Sequence, residues 1–99
     1  MEIKKTQTGG AAILTLTGRL DTMTAPRLLE ALADAMPQAE AVELDFAGVD
    51  YVSLAGLRVL LSGQKKAQAS GKAMPLKHVA PAVMEEFEMT GFADILTIC

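Results

Sequence analysis

Ser53 stands directly before Leu54-Ala55-Gly56-Leu57-Arg58, where an apolar helical stripe begins, and Asp21, Asp45 and Asp50 all fall near expected strand ends. If those ends align, three carboxylates converge near one hydroxyl, a set that on paper suits Mg²⁺. No Gly-rich phosphate-cradling loop accompanies them, so no metal or cofactor site is assigned. His78 is the only histidine and has no second His or Cys as companion, which favours a structural role over ligation or proton transfer. Cys99 is the only cysteine, so it forms no internal disulfide and is read as inert. There is no Ser-His-Asp set, no Cys-His pair and no P-loop. The reading is non-enzymatic, with no catalytic residue.

The remaining chemistry belongs to helix entrances and surfaces. Ser53 suits an N-cap, where its side-chain oxygen accepts from the first turn. Asp21, followed by Thr22 and Thr24, suits a turn that leads into a helix. Gly56 fits a crowded helix start, and Arg58, one turn on, is expected at the surface, where it can meet a partner's acid.

The elements that position these residues follow from periodicity. Residues 2–7 and 11–17 alternate around Gly9-Gly10, which predicts a β-hairpin whose glycines supply positive φ, with Gly18 breaking the second strand. Thr24 as N-cap and Pro26 in the first turn open a helix over 25–36, which Pro37 ends. A strand over 41–46 places Val42, Leu44 and Phe46 on one face, and Gly48 to Val52 forms a connecting loop that carries Asp50. Leu54, Leu57, Leu60 and Leu61 form the buried stripe of a second helix, which Gly71 closes at C′. A short strand over 73–78, irregular or at an edge because of Pro75, leads to a third helix from Pro81 to Gly91, where Val83 and Phe87 pair. A final strand covers 95–98. The order β-β-α-β-α-β-α-β makes the later strands parallel, and the polar alternation in strands 11–17 and 41–46 puts the helices mainly on one face. The fold class is therefore α/β, a mixed, mainly parallel sheet opened by a hairpin.

Ninety-nine residues, 51% hydrophobic and 21% charged, make one small domain spanning 1–99, without repeat or low-complexity segment. The net charge of −3 excludes a general phosphate-backbone binder, so nucleic acid is not a partner. Met1-Glu2-Ile3-Lys4-Lys5 is not followed by an apolar signal region, and no apolar run approaches the ~20 residues that span a bilayer. A cytoplasmic protein without direct membrane insertion is expected. The methionines Met23, Met36, Met74, Met84 and Met89 are scattered and read as flexible core filler.

Residues 44–61, running Leu-Asp-Phe-Ala-Gly-Val-Asp-Tyr-Val-Ser-Leu-Ala-Gly-Leu-Arg-Val-Leu-Leu, resemble the STAS domain of bacterial anti-sigma factor antagonists. Gly18-Arg19-Leu20-Asp21 resembles the family's Gly-x-Leu-Asp, and Met89-Thr90-Gly91-Phe92 resembles its Leu-Thr-Gly-Leu, so the likeness spans nearly the whole chain. The resemblance implies a STAS-like fold with a further C-terminal helix, for which the chain, stopping at Cys99, leaves no room. It implies a partner, an anti-sigma factor with a kinase-like domain, that phosphorylates a serine two residues before the Gly of Gly-Leu. Here that position is Leu54, which cannot take a phosphate. Ser53, one residue earlier, stays a possible phosphorylation site. The partner-binding surface implied is Asp21 and Thr22 together with Val52, Ser53, Leu54, Ala55, Gly56, Leu57 and Arg58. A second implied function is that of an accessory subunit of a cytoplasmic ABC lipid-transporter assembly, since small STAS domains similar to this one serve there.

Overall fold

In a computed structural model that describes residues 1–99, Thr8 pairs with Ala11 across the Gly9-Gly10 turn, and β1 (Glu2–Thr8) lies antiparallel to β2 (Ala11–Leu20). Of the two turn glycines, Gly9 alone takes positive φ, at +60°. The chain continues through α1 (Ala25–Ala35), β3 (Ala41–Val52), α2 (Leu54–Ala69), β4 (Pro75–Lys77), α3 (Pro81–Thr90) and β5 (Thr97–Ile98). Single 3-10 turns at Met36–Gln38 and Phe92–Asp94 follow α1 and α3. The sheet order is β1-β2-β3-β4-β5, parallel throughout except at the hairpin.

Two strands outrun the sequence reading. β2 does not break at Gly18, which bends it at φ +109°, but continues to Leu20. β3 does not stop at Phe46. Residues 48–52, expected as a loop, are strand, and Asp50 lies in it, exposed. The reason is two register shifts against β2, where Thr15 and Thr17 pair with Asp45 and Gly48, and Gly18 and Arg19 pair with Val49 and Tyr51. Each shift inserts an extra β3 residue, so the buried positions change from Val42, Leu44 and Phe46 at intervals of two to Val49 and Val52 at intervals of three. A period-two template loses the strand at that point. β4 and β5 are in turn shorter than expected, and β4 is an interior strand, with β5 at the edge.

The helices cover one face of the sheet. Ala12, Leu14 and Leu16 of β2 and Val42, Leu44 and Phe46 of β3 join Leu28 and Leu32 of α1, Leu57 and Leu60 of α2, and Val83 and Phe87 of α3 in one core cluster. Phe46 and Phe87 meet edge to face, with ring centroids 6.3 Å apart. On the open face Lys77 pairs with Glu43 at 3.2 Å and His78 Nδ1 with Asp45 Oδ1 at 3.0 Å, joining the end of β4 to β3. His78 is therefore structural, held at φ +58° beside its carboxylate. Met36 and Met74 are core residues, but Met23 and Met89 are 83% and 78% exposed and fill nothing. No helix is long and apolar enough to cross a membrane.

Candidate functional site

Leu20 pairs with Val52 at the carboxyl ends of β2 and β3, and the Ser53 N–H donates to the Leu20 carbonyl at 2.8 Å, so both strands deliver their next residues to the same rim. From one strand the chain turns through Asp21 to Thr24 into α1. From the other it enters α2 at Leu54.

Ser53 is the N-cap expected of it. Its backbone is extended, its Oγ accepts from the Gly56 N–H at 3.4 Å, and its carbonyl accepts from the Leu57 N–H at 2.9 Å. The first turn is pressed against β2. A Cβ on Gly56 would lie 2.7 Å from Leu20 Cγ and 3.0 Å from the Leu20 carbonyl oxygen. Gly56→Val is therefore expected to destabilise the protein by about 1–3 kcal/mol and to tilt the α2 entrance away from the rim. Chemical denaturation read by circular dichroism checks the first effect.

The α1 entrance differs from the expectation. Thr24 has helical backbone angles and makes no side-chain cap. Asp21 does the capping: its Oδ1 accepts from the N–H groups of Met23 and Thr24 at 3.0 and 3.1 Å, while Thr24 Oγ1 accepts from the Asp21 N–H at 2.9 Å. This is a reciprocal capping box with Thr in place of Glu or Gln, and the spacing Asp-x-x-Thr was its signal in the sequence.

These donors, with the Thr24 backbone N–H foremost, hold the Asp21 carboxyl below its ordinary 3.8. The Thr24 hydroxyl, the Met23 N–H and Arg19 add to this, against a desolvation effect that raises it. Asp45 is lowered likewise, first by the Ala47 N–H and then by His78, also against desolvation. A carboxyl depressed in the folded state stabilises it fully above the unfolded pKa, and that stability is lost as pH falls through the folded value. Stability is thus expected to drop as pH descends below about 4. The drop should be shallower in Asp21→Asn, as followed by urea midpoints between about pH 6 and 2.5.

The residues nominated from the sequence divide into two groups. Val52, Gly56 and Leu57 are buried, so they place the surface and do not form it. Thr22, Leu54 and Arg58 are exposed, and Asp21, Ser53 and Ala55 are partly so. Leu54 corrects the buried stripe, since it is 59% exposed at the first turn of α2 while Leu57 and Leu60 carry the packing. Leu61 is only partly buried.

The carboxylates Asp21, Asp45 and Asp50 do not converge. Asp45 is level with Thr15 of β2, roughly 20 Å along the strand direction from Asp21 at ~3.3 Å per residue. No three His, Cys, Asp or Glu side chains gather into a metal-holding group. Sequence reasoning set the turn from Gly18 to Thr24 beside the helix start but missed Tyr51 and its pairing with Arg19, and it took Met23 for core filler. The Arg19 guanidinium lies 4.1 Å from the Tyr51 ring centroid, and its Nε lies 3.8 Å from Asp21 Oδ2. Neighbouring β2 and β3 positions carry that pair, and only the shifted register reveals it. Met23 projects from the turn next to Thr22.

A family model described as "Mlab, STAS domain" matches residues 3–97. BtrV of Bordetella bronchiseptica, a protein named among the anti-sigma factor antagonists, is 32% identical over 99 residues, covering 99% of this chain and 85% of its own. The anti-sigma-B factor antagonist of Bacillus subtilis is 26% identical over 83 residues, covering 84% of this chain and 76% of its own. In structure, an anti-sigma factor antagonist from Mycobacterium paratuberculosis superimposes with a TM-score of 0.86 at 20% identity, over 98% of this chain and 83% of its own, a likeness of fold. The five-stranded mixed sheet with its helices, and the match over nearly the full length, agree: the chain belongs to the STAS domain family.

Proposed function

We propose that this chain is an anti-sigma factor antagonist-like regulatory protein that binds an anti-sigma factor with a kinase-like domain. The docking surface is the rim formed by Asp21, Thr22, Ser53, Leu54, Ala55 and Arg58, held in place by the buried Val52, Gly56 and Leu57. One observation carries the reading: Leu54 stands exposed at a helix entrance fixed by the Ser53 cap and the contact of Gly56 with Leu20. The names of its relatives supply the partner class. Function here is binding without catalysis, by one domain of residues 1–99 working in the cytoplasm.

Leu54 occupies the position where the family resemblance puts a phosphoacceptor. A phosphate there would be tolerated by the fold, since a helix N-terminus favours an anion. It would place about 1.5–2 negative charges in the contact and so disfavour docking. Leucine removes that switch and leaves an apolar contact. Incubation with the kinase-like partner and ATP is expected to leave the wild-type mass unchanged, whereas Leu54→Ser gains one phosphate. A phosphate on Ser53 of the wild type contradicts the lost switch.

A second reading, an accessory subunit of an ABC lipid-transporter assembly, is favoured by leucine in place of a hydroxyl residue at position 54. Copurification with a transporter ATPase, and not with a kinase-like protein, selects it.

A further inference from the structure

Leu54 and Leu61 lie seven positions apart, as do Arg58 and Lys65. At 100° per residue all four fall within about 60° of arc on α2, flanking the buried side formed by Leu57, Leu60 and Gln64. Arg58 and Lys65 are exposed, Leu54 is 59% exposed, and Leu61 is partly so. An open groove of about 410 Å³ runs along this side, lined by Arg58, Leu61, Ser62, Lys65 and Lys66. On its α1 flank Leu29 is 40% exposed, above a crevice shared with Ser62 and Lys66.

The charge pattern is one-sided. α2 contains no acidic residue, although the chain as a whole carries −3. Arg58, Lys65 and Lys66 join none of the protein's four ion pairs. Unpaired cations interleaved with leucines at a repeat of two helical turns, about 10.5 Å, match an occupant that repeats acidic and apolar groups at the same interval.

We propose that this stripe seats an amphipathic acidic helix of the protein partner, with apolar side chains over Leu54 and Leu61 and carboxylates against Arg58 and Lys65. The inference rests on the helix-start docking described above and extends it two turns down α2. An anionic membrane or nucleic acid is a poorer occupant, because the chain as a whole carries −3 and α3 presents exposed Glu85, Glu86 and Glu88. A second copy seating its acidic α3 here is the competing occupant, and self-association would reveal it.

The test titrates the kinase-like anti-sigma factor with wild type, Lys65→Glu and Leu54→Glu, each first shown to melt as wild type does. Lys65→Glu is expected to weaken the complex about tenfold, and the wild-type complex to weaken with added salt. If Leu54→Glu weakens binding and Lys65→Glu does not, the stripe is overturned while the helix start stands. If neither does, both readings fall. An independent arm adds a designed helical peptide with Leu and Glu in a seven-residue repeat to isotopically labelled protein. Amide shifts running from Leu54 to Lys66 support the stripe, and equal binding of a control peptide with Lys for Glu overturns it. Binding to anionic phospholipid vesicles, or self-association abolished by Lys65→Glu, also overturns it.

Discussion

Leu54→Glu is expected to weaken the complex with the kinase-like anti-sigma factor about 100-fold, equivalent to about 3 kcal/mol, while the unfolding midpoint hardly moves. The two effects separate because Leu54 is mostly exposed in the free protein, so its side chain holds little of the fold. In the complex the same side chain would be covered, and a carboxylate there loses its water without gaining a partner. Leu54→Ala removes apolar area alone and should cost about tenfold. Calorimetric titration measures both. Undiminished binding by Leu54→Glu removes the α2 entrance from the interface.

Phe46→Ala should behave in the opposite way, destabilising the fold by about 3–5 kcal/mol with the docking residues untouched. Phe46 is fully buried at the last regular position of β3 and meets Phe87 of α3 edge to face. Its removal opens a cavity between sheet and helix just before the register shifts that steer β3 toward the rim. Denaturant unfolding gives the loss directly, and a change under about 1 kcal/mol would mean that the core collapses to fill the site. Any protein that remains folded should bind its partner as wild type does, which distinguishes this variant from Leu54→Glu.

The legibility of this chain followed local chemistry. Ser53 before a leucine run with Gly56 close behind marked the α2 entrance, and the structure holds the Ser53 cap there. The hairpin, the order of elements and the one-sided helix layer were legible because β2 and the first half of β3 keep strict alternation. The second half of β3 was not, because each extra residue moves the buried set by one position and imitates a loop. That error hid Tyr51, and with it the Arg19 pair. Thr24 and Asp21 exchanged roles because either suits an N-cap, and only hydrogen-bond geometry decides which side chain turns back. Leu54 looked buried from leucine spacing alone. The core-facing arc of α2 is in fact shared by Leu57 and Leu60 with Gly63, Gln64 and Ala67, small or polar residues that a leucine pattern overlooks.

The interface itself is tested most directly by amide hydrogen exchange of this protein, alone and saturated with the kinase-like anti-sigma factor. Slowed exchange in the complex is predicted at residues 21–24 and 53–58, with β1 and the open sheet face around Ile13, Thr15 and Glu43 unchanged. Protection confined to that open face, with the two helix entrances exchanging as in the free protein, would contradict the account.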